Sequence, residues 1–117
     1  MNVEELRDYA LSLPGVTEEM PFGEDVLVFR IEQKIFMCIN LTALPLVAAL
    51  KLPPETNEEL RSEFMGITPA YHWNKKHWSD VCLQSDVPDK RVRELVDQSY
   101  HLVVSKLPKN LRQRYAP

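Results

Sequence analysis

Glycine is scarce in this 117-residue chain, with three in all. Three cannot supply a glycine-rich phosphate loop, which needs several at fixed spacing. No G-x-S-x-G elbow occurs either, so nucleophilic hydrolysis of that type has no foothold. Cysteine is equally sparse: Cys38 and Cys82 stand 44 positions apart, with no C-x-x-C pair. This excludes a disulfide framework and fits reduced thiols in a cytosolic core, where a thiol stays protonated and inert. His72, His77 and His101 add ligand types but no i, i+4 pair, so no metal and no cofactor is expected. Long apolar runs are missing. The longest uncharged stretch, residues 35–50, carries Asn40, Thr42 and Pro45. It falls short of the roughly 20 residues a spanning helix needs. The acidic N-terminus has no apolar signal core, so a cytoplasmic protein without a membrane partner is expected.

A basic excess is absent too. The net charge is -3, which weighs against a dedicated nucleic-acid binder. The charges are unevenly spread. Residues 1–25 hold Glu4, Glu5, Asp8, Glu18, Glu19, Glu24 and Asp25 against Arg7, whereas residues 101–117 hold Lys106, Lys109, Arg112 and Arg114 with no acid. Solvated helix ends account for such runs as readily as a two-faced surface does.

What is present suits one globular domain over residues 1–117. The hydrophobic fraction is 44% and the charged fraction 26%, ordinary values for a folded chain. This length can remove roughly two-thirds of the unfolded surface from water. Residues 3–13 form a first helix, with Asn2 and Glu5 as a capping box and Pro14-Gly15 as its stop. Residues 16–23 read as an acidic loop whose Phe22 folds onto the core. Strands are expected at 25–31, 34–40 and 46–51, the second apolar on both faces and therefore central. Thr56 and Glu59 open a second helix over 57–65, and 67–69 is a linker. Residues 71–73 and 78–83 read as a hairpin turning at Asn74. Asp86 caps a last helix over 87–106, with His101 set to pair with Asp97, and a short turn follows at 109–115. The order α-β-β-β-α-β-β-α implies a two-layer α+β fold, an antiparallel five-stranded sheet covered by helices.

The densest chemistry lies in residues 69–78. Three aromatics, two histidines, two lysines and an amide occur there with no acid. Alternation puts Tyr71 and Trp73 on one face of their strand and His72 on the other. Two readings stand side by side. In one, Tyr71, Trp73 and Trp78 close a core while the lysines solvate a turn. In the other, the segment reads a partner.

The chain resembles the MmcQ/YjbR family of small bacterial proteins. The matching pieces are Leu13-Pro14-Gly15, Pro21-Phe22-Gly23, Lys34-Ile35-Phe36, Leu50-Lys51, Pro54-Glu55, residues 69–78, Ser99-Tyr100, Leu102-Val103 and Lys106-Leu107-Pro108. The most specific block is Tyr71-His72 with Asn74-Lys75-Lys76-His77-Trp78. Ala70 and Trp73 depart from the glycine and methionine common in the pattern. The resemblance implies a fold similar to the secretion-chaperone-like group. It also implies DNA binding by a double-wing motif, two hairpins that embrace a duplex, with no catalysis. Lys75 and Lys76 would then meet phosphates, with His72, Asn74 and His77 beside them. Tyr71, Trp73 and Trp78 would stack on bases, and Lys51, Lys106, Lys109, Arg112 and Arg114 would extend the patch. The alternative is a protein-interaction module, holding another protein or a second copy on an apolar face of the Leu27, Phe29, Phe36 and Cys38 type. Fold alone does not choose between them.

Overall fold

The computed structural model describes residues 1–115. In chain order its elements are α1 (Val3–Ser12), β1 (Val16–Glu19), β2 (Val26–Ile31), β3 (Lys34–Asn40), β4 (Val47–Lys51), α2 (Pro54–Glu63), β5 (Ile67–Pro69), β6 (Trp78–Cys82), α3 (Asp89–Ser105) and α4 (Lys109–Arg112). The fold is α+β, an open antiparallel sheet packed against helices. The sheet has six strands rather than five, in the order β1-β2-β3-β4-β6-β5.

The differences from expectation have local causes. Val16–Glu19 pairs with β2 from Val16↔Ile31 to Glu19↔Val28, although its glutamates are poor strand formers. Those glutamates are answered by cations: Arg7 forks onto Glu18, and Arg30 pairs with Glu19. The supposed linker is the edge strand β5, and residues 71–73 form a bend instead of a strand. Helix α2 begins at Pro54, three residues early, because proline's missing N–H is one the first turn does not use. Thr56 therefore caps nothing. Asp86 does not cap α3 either. Its carboxylate accepts the N–H groups of Met65 and Gly66, each at 2.8 Å, and they hold its pKa below the ordinary value. The Asn2–Glu5 capping box of α1 forms as expected. The turn between β2 and β3 puts both Glu32 (φ 47°) and Gln33 (φ 70°) in the left-handed region, so a tight hairpin is made without glycine.

The sheet has two unlike faces. One carries Leu27, Phe29, Ile31, Met37, Ile39, Leu50 and Val81, packed under Leu6 and Ala10 of α1 and Val92, Leu95, Val96 and Val103 of α3. A β-bulge at Phe29/Arg30 inserts Phe36 on this same side, beside Met37. The buried Ser99 hydroxyl then donates to the Phe36 carbonyl at 2.7 Å, and the Tyr100 ring meets Phe36 edge-on at 5.8 Å. The helices α1 and α3 are also joined by the Tyr9 hydroxyl, which donates to Asp97 at 2.6 Å. Asp97 thus serves Tyr9 and not His101. The opposite face carries Val28, Cys38, Ala49 and Trp78, packed with Ala70, and no residue of that cluster comes from a helix. The expected partner-holding face therefore does not exist as one surface. Leu27, Phe29 and Phe36 are buried beneath helices, and Cys38 looks the other way.

Candidate functional site on the open sheet face

The open face is roofed at one edge by residues 70–77. Pairing of β5 with β6 ends at Pro69↔Ser79, and the Ala70 N–H reaches the Trp78 carbonyl at 3.3 Å. The next donor, the Tyr71 N–H, goes to the Asp80 side chain at 3.1 Å instead of to backbone, so the strand stops and the chain bends over the face. Asn74 makes the return. Its Oδ1 accepts the N–H groups of Lys76 (2.9 Å) and His77 (3.3 Å), and its carbonyl accepts that of Trp78 (2.9 Å).

Two residues of α2 clamp this loop from behind. The fully buried Asn57 donates to the carbonyls of Leu52 and Lys76, both at 3.0 Å, and accepts the Ser79 hydroxyl at 2.7 Å. Arg61 donates to the carbonyls of Lys75 (2.6 Å) and Trp78 (2.8 Å) and to Ser79 Oγ (3.2 Å). Neither residue was singled out from the sequence. Asn57 does carry a signal, for it stands three before Leu60 and seven before Phe64, on the apolar stripe of α2.

Bent back this way, Tyr71, His72 and Trp73 all line one chamber of about 590 Å³, so the expected alternation of their faces does not hold. Cys38, Ala49, Val26 and Val47 line it from the strands, and Phe22, Leu44 and Pro45 from two loops. Trp73 stacks on the buried Trp78 at 4.9 Å between ring centres. Phe22, expected to fold into the core, stays 61% exposed and meets Trp73 edge-on at 6.3 Å. Burial pushes the Cys38 thiol up to about 12, which leaves it protonated and unreactive.

Among the described residues Asp80 is the one carboxylate lining the chamber. Burial raises its pKa above the ordinary 3.8; the Tyr71 N–H, His72 and Lys75 pull the other way and only reduce the rise. A signal for it existed, since alternation along β6 puts Asp80 on the face of Trp78 and Cys82. A raised native pKa means the folded state holds the proton more tightly than the unfolded chain. Stability then falls as pH rises from the unfolded value through the native one, and the full penalty is present at neutral pH. Asp80→Asn is therefore expected to melt above the wild type near pH 7. The advantage should shrink on acidification and vanish below the unfolded pKa; a variant melting lower at neutral pH would contradict this.

The cations gather elsewhere. Lys51 of β4 has its pKa lowered by burial and by the ammonium groups of Lys106, at the end of α3, and Lys34, at the start of β3. Three amines thus share one end of the sheet. Lys51 stands opposite Trp78, and the Leu52 N–H donates to the His77 carbonyl at 2.9 Å, so the exposed Lys76 is carried alongside. Among the described residues none of these four lysines forms an ion pair.

The other expected contacts are spent differently. The Lys75 amine donates to the Ala70 (2.9 Å) and Tyr71 (3.4 Å) carbonyls and braces the loop. Arg112 turns to the Ser105 carbonyl, and Arg114 pairs with Glu32 at 3.4 Å. Lys109 lies exposed in α4. Glu18 and Glu19 are paired at the β1 edge, across the sheet from β5. Among the described residues no three of histidine, cysteine, aspartate and glutamate come together as a metal site would require. No described helix is long and apolar enough to cross a membrane.

Known proteins resemble this chain in sequence and fold. A family model described as YjbR matches residues 11–102. The uncharacterised protein YjbR of Escherichia coli (strain K12) is 31% identical over 113 residues, covering 97% of this chain and 96% of that one. The uncharacterised protein YbdF of Escherichia coli O157:H7 is 36% identical over 115 residues, covering 97% and 93%. The crystal structure of a Deinococcus radiodurans protein with a DUF419 domain superposes with a TM-score of 0.90 at 37% identity, over 97% of this chain and 87% of that one.

Proposed function

The chain belongs to the YjbR family, and from that premise we propose that it binds DNA, without catalysis, through the basic end of its sheet. The convergence of Lys34, Lys51 and Lys106 carries this reading. Lys51 shares its end of the sheet with the ammonium groups of Lys34 and Lys106, which disfavour its charge, an arrangement that a phosphate backbone relieves by counterion release. Lys76 extends the row on the loop. The aromatic contribution is smaller than the sequence suggested. Trp78 is buried and Trp73 half-buried against it, which leaves Tyr71, 78% exposed, as the ring able to stack on an unpaired base. With a net charge of -3 the binding is weak and confined to this end.

The test is fluorescence anisotropy of a short labelled duplex over a salt series. Replacing Lys34, Lys51 and Lys106 together by glutamine is expected to flatten the slope of log K against log salt by about 2 to 3. Lys90→Gln, on the solvated side of α3, serves as the control and should leave the slope unchanged. A wild-type affinity with no salt dependence, or a slope untouched by the triple change, would overturn the proposal.

A further inference from the structure

Apart from Tyr71 at its rim, the chamber on the open face plays no part in DNA binding as proposed, and its chemistry is of another kind. Its volume of about 590 Å³ falls within the roughly 300–1,000 Å³ of small-molecule sites. Small side chains make its floor: Cys38 and Ala49 stand where larger residues would fill the space. Three aromatic rings, Phe22, Tyr71 and Trp73, wall it. Phe22 and Tyr71 are held 61% and 78% exposed, and Leu44 at the same rim is 94% exposed. Leaving that much apolar surface in water is unfavourable unless something covers it.

The chamber's carboxylate is the second observation. Asp80 accepts one backbone N–H through Oδ2, and its other oxygen takes no hydrogen bond from the described residues. No cation pairs with it directly among the described residues. Two basic side chains lie nearby. His72 lines the chamber, and the Lys75 amine is committed to the Ala70 and Tyr71 carbonyls. Aromatic faces around a single carboxylate are the setting in which an organic ammonium group is attracted by both ring quadrupoles and charge.

We infer that this chamber binds a small organic amine, whose apolar body packs among Phe22, Tyr71 and Trp73 over Cys38 and Ala49 and whose ammonium group meets the free oxygen of Asp80. The chain's two tryptophans both lie here, so the protein reports on its own site.

The experiment titrates the full chain near pH 7 with 2-phenylethylamine and 1-naphthylmethylamine, with 2-phenylethanol and phenylacetate as neutral and anionic counterparts. Tryptophan emission follows the first, third and fourth probes, and amide shifts of Cys38, Ala49 and Asp80 follow all four. Saturable binding of the amines is expected below about 10 mM. The alcohol and the acid should bind at least about tenfold more weakly, the loss that follows removal of a charge-assisted hydrogen bond. Asp80→Asn should erase the preference for the amines while still binding the alcohol. Ala49→Leu, its fold checked by amide shifts away from the face, should block all four probes. The triple lysine variant should bind amines as the wild type does, which separates this site from DNA binding. Failure of the amines to saturate, equal affinity for amine, alcohol and acid, an unchanged preference in Asp80→Asn, or a dimer that buries this face would each overturn the inference.

Discussion

Asn57→Ala is expected to destabilise the protein by about 3 kcal/mol, the sum of leaving buried partners without hydrogen bonds. The wild-type side chain is fully buried and satisfies the Leu52 and Lys76 carbonyls and the Ser79 hydroxyl. Alanine removes all three hydrogen bonds at once. For a chain of this size the melting temperature should fall by about 10 °C or more. The effect is also local. Asn57 joins α2, the end of β4 and the 70–77 loop, so amide exchange at Lys76, His77 and Trp78 should accelerate more than the global loss of stability explains. Arg61→Ala should cost less, about 1–2 kcal/mol, because its bond to the Lys75 carbonyl lies exposed, where water can replace it. Ser62→Ala, at an exposed hydroxyl of the same helix, should stay within about 0.5 kcal/mol. Calorimetry and urea unfolding of the three variants decide it; an Asn57→Ala loss no larger than that of Ser62→Ala would refute the clamp.

The second large effect is expected at Trp78. It is 8% exposed, lies in the open-face cluster with Val28, Cys38 and Ala49, and carries the stacked Trp73. Removing a buried aromatic of this size costs about 3–5 kcal/mol, and little can collapse into the space because the neighbours are strand residues fixed by the ladder. Trp73→Ala, half-buried, should cost about 1–2 kcal/mol, much of it the stacking and the apolar area it covers. The two losses should not add. Once Trp78 is gone Trp73 has nothing to stack on, and a double-mutant cycle should return a coupling of about 0.5–1.5 kcal/mol. Additive losses would mean that the stacked rings contribute nothing jointly, and the loop would then be held by the α2 clamp alone.

Much of this molecule follows from periodicity. Val3–Ser12 with its capping box, Lys34–Asn40 as a central strand and the long stripe Val92, Leu95, Val96, Ser99 and Val103 are set by local spacing. Such spacing acts within a few residues and survives in the sequence as a pattern. Likewise Lys51 and Lys106 were legible as bases, and the family resemblance carried by residues 69–78 holds over the matched length. Where the local rule was one of two competing options, it failed. Thr56 and Asp86 are good caps in isolation, yet a proline begins α2 and the N–H groups of Met65 and Gly66 claimed the Asp86 carboxylate. Tyr71–Trp73 has strand composition, but its first donor went to Asp80 and its aromatic ring found more apolar surface by folding over the sheet.

The sequence by itself determined the class of fold, the helix faces and the central strands, because each depends on neighbours three, four or two positions away. The tertiary structure alone decided which side of the sheet stays open, that Lys34 joins Lys51 and Lys106, and that Asp80 meets three aromatic rings across a chamber. Those groups come from segments tens of residues apart, and only the order and register of the strands bring them together.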